Sequence, residues 1–372
     1  MNRELRTVSL LTLLTIVSAL IAAGCSGQRV GTSSDPANGD RAGSGGAVRL
    51  QGSGSTFVKP MMDKWTSEYG KAHPNVRADY QSTGSGAGIK AIQGQTVNFG
   101  ATDAAMSDEE MKQSPAEIVH VPVILGAVVL TYNLEGVKEP LRLSPEVIAD
   151  IFLGKIKKWD DPRLKSDNPN AALPSTDITP VYRSDGSGTS DVFTDFLSKS
   201  SEEWKQKVGR TKNPQLPQGV GIGAKGNEGV MGQVKQTPNT IGYVELTFAK
   251  ANNLPAALVK NPAGEFVEPG PDTVSAAAAG VLGNAPADLR MQITNAQGAN
   301  AYPISGMVYA LIYKDQKDPN VGKTLVDFLW WATHDGQAFA RDLHYAPLPP
   351  ELVARVEEKL RSITSGGQAL RP

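Results

Sequence analysis

Three short Gly/Ser/Thr stretches, each followed by residues at helical spacing, constrain this chain more than any other feature. They are Gly52-Ser53-Gly54-Ser55-Thr56-Phe57, Thr83-Gly84-Ser85-Gly86-Ala87-Gly88 and Arg183-Ser184-Asp185-Gly186-Ser187-Gly188-Thr189. Backbone N–H groups at a helix start have no partner within the helix and lie at the positive end of its dipole. Glycine lets that backbone come close to an anion, and Ser or Thr adds a hydroxyl donor. Three such loops, one entered by an arginine, predict walls that converge on a small tetrahedral oxyanion.

The segments around the loops read as strands and helices in alternation. Val48 to Gly52 is a strand ending in a glycine turn, and Phe57, Val58, Met61, Met62, Trp65 and Tyr69 then recur at helical spacing. Val76 to Tyr80 leads into the second loop, with Ile89 and Ile92 on a short helix behind it. Val97 to Ala101 is a third strand, with Thr102 and Asp103 at its end, and Ser107 and Glu110 predict a capping box. Val119 to Tyr132 is apolar and Val-rich, and predicts a buried strand that carries the chain from one lobe into another. Ser144-Pro145 predicts an N-cap and first helical position, for a helix ending near Gly154. Val181-Tyr182 is a strand into the third loop, with Val192, Phe193, Phe196 and Leu197 on the helix behind it. Ile241 to Val244 and Met307 to Tyr313 predict further strands, and helices cover 321–333 and 352–363. This alternation predicts an α/β protein with mostly parallel sheets. Its ligands belong beyond the carboxyl ends of the strands, where helices begin.

The N-terminus reads as a targeting segment. Arg3 and Arg6 precede an apolar run from Val8 to Ala23, and Leu20-Ile21-Ala22-Ala23-Gly24-Cys25 resembles a bacterial lipobox, with Ala22 where that motif usually has Leu. Cys25 is the only cysteine, which rules out a disulfide or a Cys-based metal site within one chain. In an exported protein it reads as an acyl acceptor. The expected organisation is a signal peptide over 1–24 and a Gly/Ser-rich tether over 25–46, followed by a globular part large enough for two lobes. A net charge of −1 argues against nucleic acid and against capture of anions by bulk charge. Anion affinity must then come from local dipoles and one or two residues.

Other motifs have blander readings. Gly221-Ile222-Gly223-Ala224-Lys225-Gly226 matches G-x-G-x-x-G, with Glu245 downstream, but Pro214 and Pro217 argue against the strand a dinucleotide site requires. Ser187 has glycines directly beside it, not the spacing of a nucleophile elbow. The four histidines, His73, His120, His334 and His344, have no metal or triad spacing and read as packing or surface residues. Asp103 alone has the alternative of capping a turn, and Arg183 that of a surface pair with Asp185. Lys155 to Asp161 reads as a solvated loop with Trp159 packed down.

Together the segments resemble the substrate-binding lipoproteins of bacterial phosphate ABC transporters. The resemblance rests on runs 52–57, 80–88, 98–104, 150–162, 183–190, 223–227 and 241–245, which occur in the family's order. It implies a two-lobed periplasmic-binding-protein fold of type II, with a hinge and a ligand cleft between lobes. It also implies a binding protein and not an enzyme, with inorganic phosphate as ligand and neither cofactor nor metal. The partners would be the transporter's membrane subunits and, through a lipid on Cys25, a bacterial membrane, facing the periplasm or cell exterior. The first lobe is expected over 47–128 and 303–372, the second over 129–302, with crossings near Val128–Tyr132 and Ala301–Pro303. The family's contacts carry over to Thr56, Phe57, Ser85, Asp103, Arg183, Ser187, Gly188 and Thr189, with Asp185 holding the arginine. The second loop reads Ser85-Gly86 where many relatives have two serines.

The physical chemistry of this set is coherent. A buried phosphate loses strong hydration, and each hydrogen bond to a charged group returns about 1.5–3 kcal/mol. The second pKa of a phosphate is about 6, so at neutral pH the ion keeps a proton that Asp103 can accept. Sulfate has none, and its lone pairs would face those of the carboxylate. Three rivals remain at this point: a binder of another oxyanion such as sulfate or molybdate, a phosphatase or esterase, and a secreted adhesin or sensor.

Overall fold

The computed structural model describes residues 47–137 and 139–371, so the signal segment, the tether and Cys25 lie outside the described residues. Strand β1 (Val48–Gly54) enters the first Gly/Ser loop, and helix α1 (Lys59–Ala72) leaves it, burying Met61, Met62, Trp65 and Tyr69. Pro60 sits in the first turn, where its missing N–H has no partner to lose. β2 (Val76–Ser82) and α2 (Ser85–Gln93) repeat the arrangement around the second loop, and β3 (Phe99–Thr102) ends at Asp103. Ser107 and Glu110 form the expected capping box on α3 (Asp108–Lys112).

β4 (Ile118–Asn133) is a single strand of 16 residues, buried along all but its last position. β5 (Arg142–Leu143) and α4 (Pro145–Phe152) follow, and Gly154 at φ +72° ends that turn as expected. Ser144 is the N-cap residue with Pro145 in the first turn, as expected, but its side chain makes no capping bond: its hydroxyl and N–H both donate to Asp167 Oδ2 at 2.7 Å, which ties down a neighbouring helix. That neighbour is α5 (Pro162–Asp167), after which β6 (Thr179–Arg183) enters the third loop and α6 (Gly188–Ser200) leaves it. α7 (Glu202–Lys207), β7 (Ile222–Ala224) and α8 (Gly226–Gln236) lead to β8 (Thr240–Glu245) and α9 (Leu246–Ala251). β9 (Leu258–Lys260), β10 (Phe266–Val267) and α10 (Pro271–Leu282) precede β11 (Ser305–Tyr313). α11 (Pro319–Thr333), α12 (Pro350–Arg361) and the hairpin of β12 (Thr364–Ser365) and β13 (Gln368–Ala369) complete the chain.

The main sheet has the order β2-β1-β3-β11-β4-β8-β6-β7. Its outer pairs are parallel, but β3–β11, β11–β4 and β4–β8 are antiparallel. The expectation of mostly parallel pairing therefore fails at the centre. Helices between strands signal parallel neighbours. Nothing local signals that β11, from far along the chain, inserts between β3 and β4 in the opposite direction. β4 pairs with β11 up to Ala127 and with β8 from Val128 onward, so one strand serves both lobes of the α/β fold. The Gly/Ser loops lie at the carboxyl ends of β1, β2 and β6, and the second meets the third directly, where the Gly86 N–H donates to the Gly186 carbonyl at 2.8 Å. Trp159 is fully buried, as its loop predicted. Among the described residues no helix is long and apolar enough to cross a membrane.

Candidate functional site

Asp103 is the centre of the site and only 2 % exposed. Its Oδ1 accepts the Ser55 hydroxyl, its Oδ2 accepts the Thr189 hydroxyl at 3.2 Å, and its N–H donates to Ser85 Oγ at 3.4 Å. Burial pushes its pKa up to about 6, against the opposing pull of the Ser55 hydroxyl and the Arg183 charge. Ser55 and Ser85 come from the first two loops and Thr189 from the third. The carboxylate therefore joins the first loop to the third, and the Asp103 N–H adds the second.

Arg183 ends β6 and is buried, which removes its reading as half of a surface pair. Its Nε and Nη2 each donate to Asp185 at 2.7 Å in a bidentate fork, and Nη1 points at Thr189 Oγ1 at 3.4 Å. Burial opposes the charge on Asp185, yet the guanidinium outweighs it and holds that carboxyl below its usual range. The Arg183 N–H donates to Tyr243 Oη at 3.1 Å, and the Tyr243 ring stacks on Phe193 at 4.2 Å, which fixes the end of β6.

The remaining expected residues take distinct positions. Thr56 accepts from Asn227 Nδ2 at 2.8 Å and from the Asn227 N–H at 3.1 Å, across the cleft. Phe57 buries its ring, and its carbonyl accepts the Tyr345 hydroxyl at 2.6 Å. Ser187 is the N-cap of α6, accepting the Ser190 N–H at 3.0 Å, while its own N–H donates to the Lys212 carbonyl. Among the described residues no histidine or carboxylate bonds to the Ser187 hydroxyl, so no base is placed to activate it. Gly188 permits a close approach of the third loop to Ser85 and Asp103. A Cβ there would stand 2.6 Å from Ser85 Oγ and 2.7 Å from the Asp103 nitrogen. Cys25 lies outside the described residues.

A family model described as the PBP superfamily domain matches residues 31–335. The phosphate-binding protein PstS of Xylella fastidiosa (strain 9a5c) is 41 % identical over 357 residues, covering 93 % of this chain and 96 % of that protein. The chain belongs to this family of phosphate-binding proteins. The PstS of Pasteurella multocida (strain Pm70) is 39 % identical over 317 residues, 85 % of this chain and 91 % of that protein. Among solved structures, the high-affinity periplasmic phosphate-binding protein PfluDING, bound with phosphate, superposes with a TM-score of 0.69 at 24 % identity, covering 87 % of this chain and 96 % of that one.

Two residues of the candidate site carry no role in the sequence analysis. Ser55 lies in the first loop beside Thr56, and its hydroxyl bonds Asp103. Asn227 is fully buried and joins three elements. Its Nδ2 donates to Thr56 Oγ1 and, at 3.1 Å, to Thr189 Oγ1, while its Oδ1 accepts the Glu245 N–H at 2.9 Å. The signal available was an amide side chain at a glycine-led helix start, masked by the G-x-G-x-x-G reading of the residues before it. That reading finds no support in the geometry. The strand such a site requires is absent, as the prolines predict: among the described residues none lies between α7 and Gly221, and β7 sits inside the motif, downstream of both prolines, and pairs in parallel with β6. A dinucleotide fingerprint requires its strand ahead of the first glycine.

Proposed function

We propose that this chain binds inorganic phosphate between its lobes outside the cytoplasmic membrane and delivers it to an ABC importer. The observation that carries this reading is the set of bonds around Asp103, of which the Thr189 hydroxyl's bond to Asp103 Oδ2 joins the two lobes. Ser55 and Ser85 from one side, and Thr189 and Arg183 from the other, converge on or beside one buried carboxylate. The relatives' names agree with it. In this reading Thr56 and Ser85 offer hydroxyls, Thr56, Phe57, Gly188 and Thr189 offer N–H groups, Ser187 completes the α6 start, and Arg183, aimed by Asp185, supplies the charge. Asp103 accepts the proton that phosphate keeps and sulfate lacks. The protein binds without turnover, in keeping with the capping role of Ser187.

The lobes in this proposal are 47–128 with 303–372, and 129–302. The change of partner along β4 between Ala127 and Val128 supports a crossing there. Lipidation at Cys25 would hold the protein on a bacterial membrane, within reach of the importer's membrane subunits. Calorimetry of the mature chain with phosphate, arsenate and sulfate tests the binding role. One phosphate per chain with sulfate silent is the expected result. An absence of phosphate binding overturns the function, and equal binding of sulfate overturns the selectivity.

A further inference from the structure

Glu245, the last residue of β8, is a second fully buried carboxyl near the site, and the phosphate reading gives its side chain no task. Its surroundings can be read by counting hydrogens. Thr247 Oγ1 lies 2.5 Å from the Leu343 carbonyl and 3.1 Å from Glu245 Oε1. Tyr345 Oη lies 2.6 Å from the Phe57 carbonyl and 3.2 Å from Glu245 Oε2. A carbonyl only accepts, so the shorter contact takes each hydroxyl's single hydrogen. Oε2 also accepts the Thr247 N–H at 2.9 Å, as a carbonyl-type oxygen does. Both oxygens then face a hydroxyl oxygen whose hydrogen points elsewhere, but Oε2 has the Thr247 N–H and Oε1 has no donor among the described residues. An ionised carboxylate there would set lone pair against lone pair. A proton on Oε1 resolves the contact.

The charges nearby agree. No cation pairs with either oxygen among the described residues, and the titratable groups that act on it are Tyr345 and Asp103. Lys225 and Glu228 beside Asn227, Lys250 on α9, and Arg341, Asp342 and His344 next to Tyr345 make no bond to it. Burial first, and the Asp103 charge with it, hold the Glu245 carboxyl well above its ordinary range.

We propose that Glu245 is a neutral carboxylic acid at neutral pH, and that Oε1–H donates to Thr247 Oγ1, whose hydroxyl in turn donates to the Leu343 carbonyl. This relay straps the end of β8 to the C-terminal segment of the other lobe, where Ala346 bridges to Leu125 of β4. Glu245 is thus a positioning residue. Its N–H aims Asn227 at Thr56 and Thr189, and its Oε2 sits against the tyrosine that holds the Phe57 carbonyl. It supports both sides of the cleft without adding a negative charge beside Asp103.

Infrared spectroscopy of the phosphate-loaded mature protein at pH 8 tests the proton directly. A protonated-carboxyl C=O band, shifting in D2O, is expected in the wild type and in Asp103→Asn, and is lost in Glu245→Gln. A wild type without the band, or a band that survives Glu245→Gln, overturns the proposal. Should Glu245→Gln not fold, Thr247→Val keeps the carboxyl and removes its acceptor, so the band must move to higher frequency; an unmoved band overturns the relay. The affinity arm alone rests on the phosphate reading. Glu245→Gln retains a donor and stays within about threefold of wild-type affinity, whereas Glu245→Leu loses roughly tenfold, the equivalent of one buried hydrogen bond. Equal losses in both overturn the donor role. The band reports on Glu245 whichever oxyanion is bound, so its absence and a failure to bind phosphate are separate results.

Discussion

Asp103→Asn separates selection by protonation from capture by charge. The substitution removes a negative charge from a buried site, and that change favours every dianion alike. Absolute affinity is therefore a poor readout, while the ratio of sulfate to phosphate dissociation constants cancels the shared charge effect. Two contributions survive in the ratio. Monohydrogen phosphate loses a carboxylate acceptor for its proton, about 1.5–3 kcal/mol for a bond to a charged group. Sulfate escapes an unpaired contact with a buried acceptor, a further ~1–3 kcal/mol. The structure bears on the second figure, because Asp103 is 2 % exposed and held by Ser55 and Thr189, leaving it no path to turn toward water. At about 1.4 kcal/mol per decade, the ratio should fall by roughly two to four orders of magnitude. Competitive calorimetry at pH 8 is the assay, since Asp103 with a pKa of about 6 is ionised there. A ratio unchanged in Asp103→Asn would refute proton reading by this residue, however tightly either protein held phosphate.

Asn227→Ala removes the two donors that bridge Thr56 and Thr189, each worth about 0.5–1.5 kcal/mol, and should weaken phosphate binding by roughly 5- to 100-fold in the same titration. Asp185→Asn leaves the buried Arg183 guanidinium without its counter-charge, and urea unfolding should show a loss of about 3–5 kcal/mol. Without phosphate, Asp103 has a folded pKa of about 6 against an ordinary 3.8, so the folded chain holds the extra proton between those values. Its contribution to stability is complete below the lower value and lost as pH rises through the upper one, on the order of 3 kcal/mol. Melting profiles of wild type minus Asp103→Asn from pH 4 to 7 should show that fall, and parallel profiles would contradict it.

The donors of this site are legible in the sequence because their chemistry is local. A glycine, a serine and a following apolar period are enough to place a helix start, and all three loops lie where β1, β2 and β6 end. The capping box on α3, the stop at Gly154 and the long buried β4 are legible for the same reason. The pairing of Arg183 with Asp185 is readable at a spacing of two residues, but its burial is not, since the covering side chains come from elsewhere. Asn227 touches Thr56 across 171 positions, and β11 reaches its place between β3 and β4 from as far away. No window of sequence contains both partners of such a contact. Protonation is the extreme case. Asp103 and Glu245 are identical in kind to carboxyls on the surface, and only walls assembled from both ends of the chain bury them and raise their pKa. Local sequence thus predicts that an oxyanion is to be held; in the proposed reading, the assembled fold determines how its proton is read.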